Sequence, residues 1–121
     1  MYKKNKFLDW KVYRDARELF SLVLGVVKKI PKEYRFELGS QIIRSSFSIL
    51  LNIAEGSGKS SDKELNRYLE IALGSVYETV AAIDIFLYND FISEKEYNIL
   101  TEKLNDISSQ LGGFKKKLAV S

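Results

Sequence analysis

The sequence contains no cysteine and no histidine. The first absence excludes disulfides, thiolate nucleophiles and the usual zinc sites. The second removes Ser-His and Cys-His pairs and the Glu-x-x-His ligand sets of two-metal bundles. One proline, Pro31, and seven glycines in 121 residues favour long helices over a loop-rich fold. No uninterrupted run approaches the roughly 18 apolar residues of a membrane span. The opening MYKKNKFLDW is charged and has no apolar h-region, so no signal peptide is expected. A cytoplasmic protein with no membrane partner, no metal and no cofactor is the resulting expectation.

What remains is the composition of a globular chain, 45% hydrophobic and 29% charged, sized for one domain over 1–121. The net charge of +3 is unevenly spread. Residues 1–35 hold ten Lys/Arg against four Asp/Glu, whereas residues 60–110 hold four against ten. Lys115, Lys116 and Lys117 add a basic cluster near the end. This asymmetry points weakly to an anionic partner.

Apolar spacing predicts four amphipathic helices, over about 9–30, 38–56, 62–88 and 93–118. The first carries Val12, Ala16, Leu19, Val23, Val26, Val27 and Ile30 on one face and ends before Pro31. The third opens on the capping box Ser61-Asp62-Lys63-Glu64 and the fourth on Ser93-Glu94-Lys95-Glu96. The third helix has the stripe Leu65, Leu69, Ala72, Leu73, Val76, Val80, Ile83 and Leu87. Gly112-Gly113 is expected to fray the end of the fourth. Short connections make successive helices antiparallel neighbours, so the fold class is all-α, an up-down-up-down four-helix bundle.

Gly58-Lys59-Ser60 resembles the tail of the phosphate-binding motif G-x-x-x-x-G-K-S/T, but Ile53 occupies the first glycine position. A helix, not a strand, leads into it, so a hairpin turn is the expectation. An all-carboxylate metal site from Glu55, Glu70 and Glu78 is disfavoured by the arginines around them, and no catalytic residue is assigned. The protein is expected not to be an enzyme.

Helix two has an apolar surface wider than the roughly 100° stripe of a one-sided helix. Its other arc holds Gln41, Arg44, Ser45, Ser48, Asn52 and Glu55. Helix three offers a second face of Arg67, Ile71, Gly74, Ser75, Glu78, Ala82 and Ile85. In an antiparallel hairpin Glu55 stands level with Arg67, Arg44 with Glu78, and Ser48 with Gly74. The expectation is a polar network (Gln41, Arg44, Ser48, Asn52, Glu55, Arg67, Ser75, Glu78) at an interface between subunits.

These residues carry a resemblance. Trp10-Lys11-Val12-Tyr13-Arg14-Asp15-Ala16 and Pro31-Lys32-Glu33 come first. Then come Gln41, Arg44, Ser45, Ser48, Ile49, Asn52, Ile53, Ala54, Glu55 and Gly56, and Arg67, Tyr68, Leu69, Ala72, Gly74, Ser75 and Glu78. Together they resemble, over residues 7–90, the bacterial four-helix-bundle family encoded in intervening sequences of 23S rRNA genes. That family also contains the accessory variability proteins of retroelements. Trp10 departs from the family's leucine. The resemblance implies a homopentamer without catalytic activity. It also implies that some relatives act by binding a reverse transcriptase and nucleic acid, so a scaffold docking a partner enzyme is the alternative role.

In the up-down topology the N-terminus, the helix two/three loop and the C-terminus meet at one end. Lys3, Lys4, Lys6, Lys59, Lys63, Lys115, Lys116 and Lys117 gather there, with Tyr2, Phe7 and Trp10 nearby. This end is the first candidate for RNA or other nucleic acid, and Arg14, Arg17 and Lys28 on helix one form the second.

Overall fold

Capping chemistry and apolar spacing act together in the computed structural model, which describes residues 5–120. Lys3 and Lys4, like Tyr2, lie outside that range. A 3-10 turn over Lys6–Asp9 leads into α1 (Lys11–Val27), α2 (Lys32–Ser57), α3 (Asp62–Tyr88) and α4 (Glu94–Val120). The Ser93 capping box closes in both directions, whereas at Ser61 only one half of the box forms among the described residues. Ser61 Oγ accepts from the Glu64 N–H at 3.2 Å, and Ser93 and Glu96 exchange bonds of 2.9 and 3.1 Å.

Two boundaries differ from the sequence reading. α1 ends at Val27, and Lys28–Ile30 close it as a tight turn through Lys29 N–H to Val26 O and Ile30 N–H to Val27 O. α2 begins six residues earlier than expected, at Lys32. Its first turns are exposed and carry no core stripe, so periodicity cannot reveal them. Arg35 anchors them instead, donating to Ile30 O at 3.0 Å and Lys28 O at 3.1 Å. A cation on the last carbonyls of α1 is favourable for the helix dipole. α4 also runs straight through Gly112-Gly113, held by buried Leu111 and half-buried Phe114 and Leu118.

Each helix packs on its sequence neighbours, α4 closes against α1, and among the described residues the backbones of the diagonal pairs stay more than 8 Å apart. That is the up-down-up-down square. Its centre holds Leu19, Val23, Ile42, Ile49, Ile53, Leu69, Ile83, Leu104, Ile107 and Leu111, all fully buried. Each such side chain contributes about 1.5–3 kcal/mol on burial. At the α2/α3 turn α3 crowds Gly56, where a Cβ would lie 2.9 Å from Tyr68 Cβ. α3 ends in a Schellman motif: Phe91 N–H bonds Phe86 O at 2.8 Å, Asp90 N–H bonds Leu87 O at 3.0 Å, and Asp90 takes φ 62°. The Phe86 and Phe91 rings, 6.1 Å apart, supply the apolar contact that accompanies such a cap.

Candidate functional site

The α2/α3 seam is built from small hydroxyls. Ser45 Oγ meets Thr79 Oγ1 at 2.8 Å, and Thr79 donates onward to Ser75 O at 2.8 Å. Ser75 Oγ donates to Ser48 Oγ at 2.8 Å, which also accepts from Asn52 Nδ2 at 2.9 Å. Ser45, Ser75 and Thr79 are buried and satisfied, as buried polar groups must be. Ser48 thus meets Ser75, not Gly74. Thr79, four residues after Ser75 and therefore on the same face, was the member that the sequence reading missed.

The charged members of the expected network are placed differently. Gln41, Arg44, Glu55, Arg67 and Glu78 are all exposed. Neither Arg44–Glu78 nor Glu55–Arg67 forms an ion pair among the described residues; Glu55 lies 3.8 Å from Lys59 instead. The seam explains why. With Ser45 against Thr79, Arg44 and Glu78 are each one residue off the contact line. Both therefore stand on the outer surface. Beside them Leu51 is 51% exposed, Ile71 44% and Ile85 50%. By length and composition α3 is apolar enough to cross a membrane, yet only 33% of its most apolar stretch is buried in the bundle.

The α1/α4 seam presents the opposite pattern. Asp15 accepts from Lys11 Nζ at 2.8 Å and Gln110 Nε2 at 2.7 Å. Lys103 bonds Glu18 at 2.7 Å and lies 3.9 Å from Asp15. Burial pushes the Asp15 carboxyl up, but the bonds from Lys11 and Gln110 and the nearby cations outweigh it and hold it below the ordinary range. The hydrogen bond to Glu18 raises Lys103 above its usual value, against a smaller opposing effect of burial.

At the end where α1 and α3 start and α2 and α4 stop, the lysines divide into two groups. Lys59 leans back over the Tyr68 ring at 5.1 Å, so Gly58-Lys59-Ser60 is a hairpin turn and not a phosphate cradle. Lys115 pairs with Glu70 at 3.2 Å. Lys6, Lys63, Lys116 and Lys117 are exposed and pair with no other described residue. Arg14 and Arg17 are exposed on α1 and Lys28 is exposed just past its end, with Arg17 over the Tyr13 ring at 5.9 Å. Glu55, Glu70 and Glu78 do not cluster, and no group of three potential metal ligands occurs among the described residues.

Among the clefts that flank α4 at this end, two lie beside its glycines. One, of about 390 Å³, is lined by Trp10, Lys11, Val12, Gln110, Gly113, Phe114 and Lys117. The other, of about 350 Å³, lies on the α3 side, where Gly112 faces Asn66, Leu73 and Lys116.

A family model described as 23S rRNA-intervening sequence protein matches residues 8–113. Among solved structures, the bundle is similar to the crystal structure of a Bacteroides thetaiotaomicron protein of unknown function from the S23 ribosomal protein family. The TM-score is 0.80 at 24% identity, covering 87% of this chain and 98% of that one. At that identity the likeness shows the fold. No match is found among curated proteins. The match over residues 8–113 spans most of the sequence, and the chain belongs to the 23S rRNA-intervening sequence protein family.

Proposed function

We propose that this protein is a non-catalytic bundle that self-associates through its α2/α3 face, forming a homopentamer as the family resemblance implies, and presents its basic end to RNA. The observation that carries the reading is the mismatch on that face. Arg44, Arg67 and Glu78, without an ion-pair partner among the described residues, sit among half-exposed Leu51, Ile71 and Ile85, around a seam whose own hydrogen bonds are already made. An apolar patch rimmed by such charges of both signs suits a second copy of itself. Exposed Glu78 and Asp84 on α3 argue against lipid as the occupant.

Repetition around a ring would multiply Lys6, Lys63, Lys116 and Lys117 into a phosphate-binding band, with affinity that is salt-dependent and tolerant of sequence. Solution mass is the first test, expected at five times the 13.9 kDa of one chain. A monomer would end the reading. Titration of labelled single-stranded RNA at rising salt is the second. Changing Lys63, Lys116 and Lys117 together to Gln should flatten the logarithmic salt slope by ~2. Arg14→Gln with Arg17→Gln should leave it unchanged if the basic end is the site.

A second reading, a scaffold that docks a partner protein, is favoured by the opposite end. Phe36 and Tyr88 are each 85% exposed there, and exposed aromatics are preferred anchors of protein interfaces.

A further inference from the structure

The cleft beside Trp10 is open for a reason that packing does not supply. Gly56 has no side chain because a Cβ there would collide with Tyr68. Gly113 has no such constraint: a Cβ there would meet nothing within 4 Å. Glycine inside a helix disfavours the helix. At Gly113 its effect is to keep open the space between α1 and α4.

The walls of that space are chemically specific. Trp10 and Phe114 meet edge to face at 5.2 Å and present ring surface to it. Gln110 has committed its Nε2 to Asp15, which fixes the amide and leaves Oε1 as an acceptor. Lys117 stands at the rim unpaired among the described residues, and Lys11 reaches the rim from its contact with Asp15. A fitting occupant is flat and aromatic, carries N–H donors and bears a negative charge beside the ring. An acyl carboxylate lacks the donors and the plane. The volume of about 390 Å³ is at the small end of ligand pockets, enough for one nucleotide.

We propose that this cleft receives one unpaired nucleobase of a single-stranded RNA. The base stacks on the Trp10 ring with Phe114 packed against its edge, donates to Gln110 Oε1, and leaves its phosphate on Lys117. This rests on the reading of the basic end as an RNA surface and adds a requirement for single strands, because a paired base cannot leave its stack without losing partners.

Trp10 is the only tryptophan in the chain, so its emission reports the cleft directly. The intact protein, titrated with a twelve-nucleotide oligoadenylate RNA, should show Trp10 quenching that tracks the anisotropy of the labelled RNA. An RNA duplex of equal charge should bind without quenching. Gly113→Leu fills the cleft without changing charge and should lower oligoadenylate affinity about ten-fold or more. Its salt slope should match that of the parent, and Gly113→Ala should bind nearly as the parent does. Binding without quenching, or full affinity in Gly113→Leu, overturns the cleft and leaves the basic-end reading standing. No binding at low salt overturns both. Emission that shifts with protein concentration alone, or with octanoate and not with RNA, assigns the cleft to a second copy or to an acyl group and overturns the proposal.

Discussion

The α1/α4 seam and the α2/α3 face are both polar surfaces of one bundle, but their charges end differently. On α1/α4 both carboxylates of α1 have found partners within the chain: Asp15 with Lys11 and Gln110, Glu18 with Lys103. On α2/α3 the hydroxyls are paired inward, while Arg44, Arg67 and Glu78 face out beside uncovered Leu51, Ile71 and Ile85. The contrast teaches that helix contact and surface completion are separate requirements. α2 and α3 make the most extensive contact in the bundle and still leave a face unfinished.

The comparison breaks most visibly at the exposed leucine and isoleucine. Leu51→Glu with Ile85→Lys keeps the net charge and should reduce the solution mass to that of one chain, with helical circular dichroism unchanged. The same exchange on α1/α4 has a different readout. Asp15→Ala should lower unfolding stability by about 1–2 kcal/mol at pH 7 in urea titrations and leave the assembled mass alone.

The pH course sharpens that second case. The folded-state pKa of Asp15 lies below the ordinary carboxylate value, so its contribution is present above the unfolded pKa. It is lost as pH falls through the lower folded value. The difference between parent and Asp15→Ala should therefore hold from neutral pH down to the ordinary carboxylate range and shrink below it. Lys103 runs the other way: its pKa is raised from 10.5, so its contribution is full below that value and fades as pH climbs through the folded one.

A smaller effect is expected at Ser48→Ala, about 0.5–1 kcal/mol, because Asn52 keeps its 2.8 Å bond to Ser48 O and Ser75 can still donate to Ile71 O. The smallest is a gain. Asp90→Gly relieves the left-handed backbone at the α3 cap and should stabilise by about 0.5–1 kcal/mol, read as a higher melting temperature with assembly unaffected.

The helices were legible where a buried stripe exists, because burial imposes a period of 3.6 on the apolar residues. Lys32–Glu37 was illegible for the same reason: its turns bury little, and the hydrogen bonds of Arg35 that hold them depend on where α1 stops. The hydroxyl seam was half legible. Small residues marked the surface, but the register that joins Ser48 to Ser75 is one position away from simple level counting, and that step moves the arginines and glutamates outward. The Asp15 cluster escaped entirely, since Lys103 and Gln110 meet it only once the first and last helices close on each other. The cleft at Trp10 was hidden likewise; a glycine pair in a helix reads as fraying until the space beside it is seen.

The start of α1, the α2/α3 turn and the finish of α4 share one end of the square. A short tether joining the outermost helices there, with a cut at Gly58-Lys59, would yield the order α3-α4-α1-α2 with the same four helix pairings. In such a rewired chain the closing seam becomes a local hairpin and the tight α2/α3 pair becomes the distant closure, so folding speed would report which of the two contacts forms first.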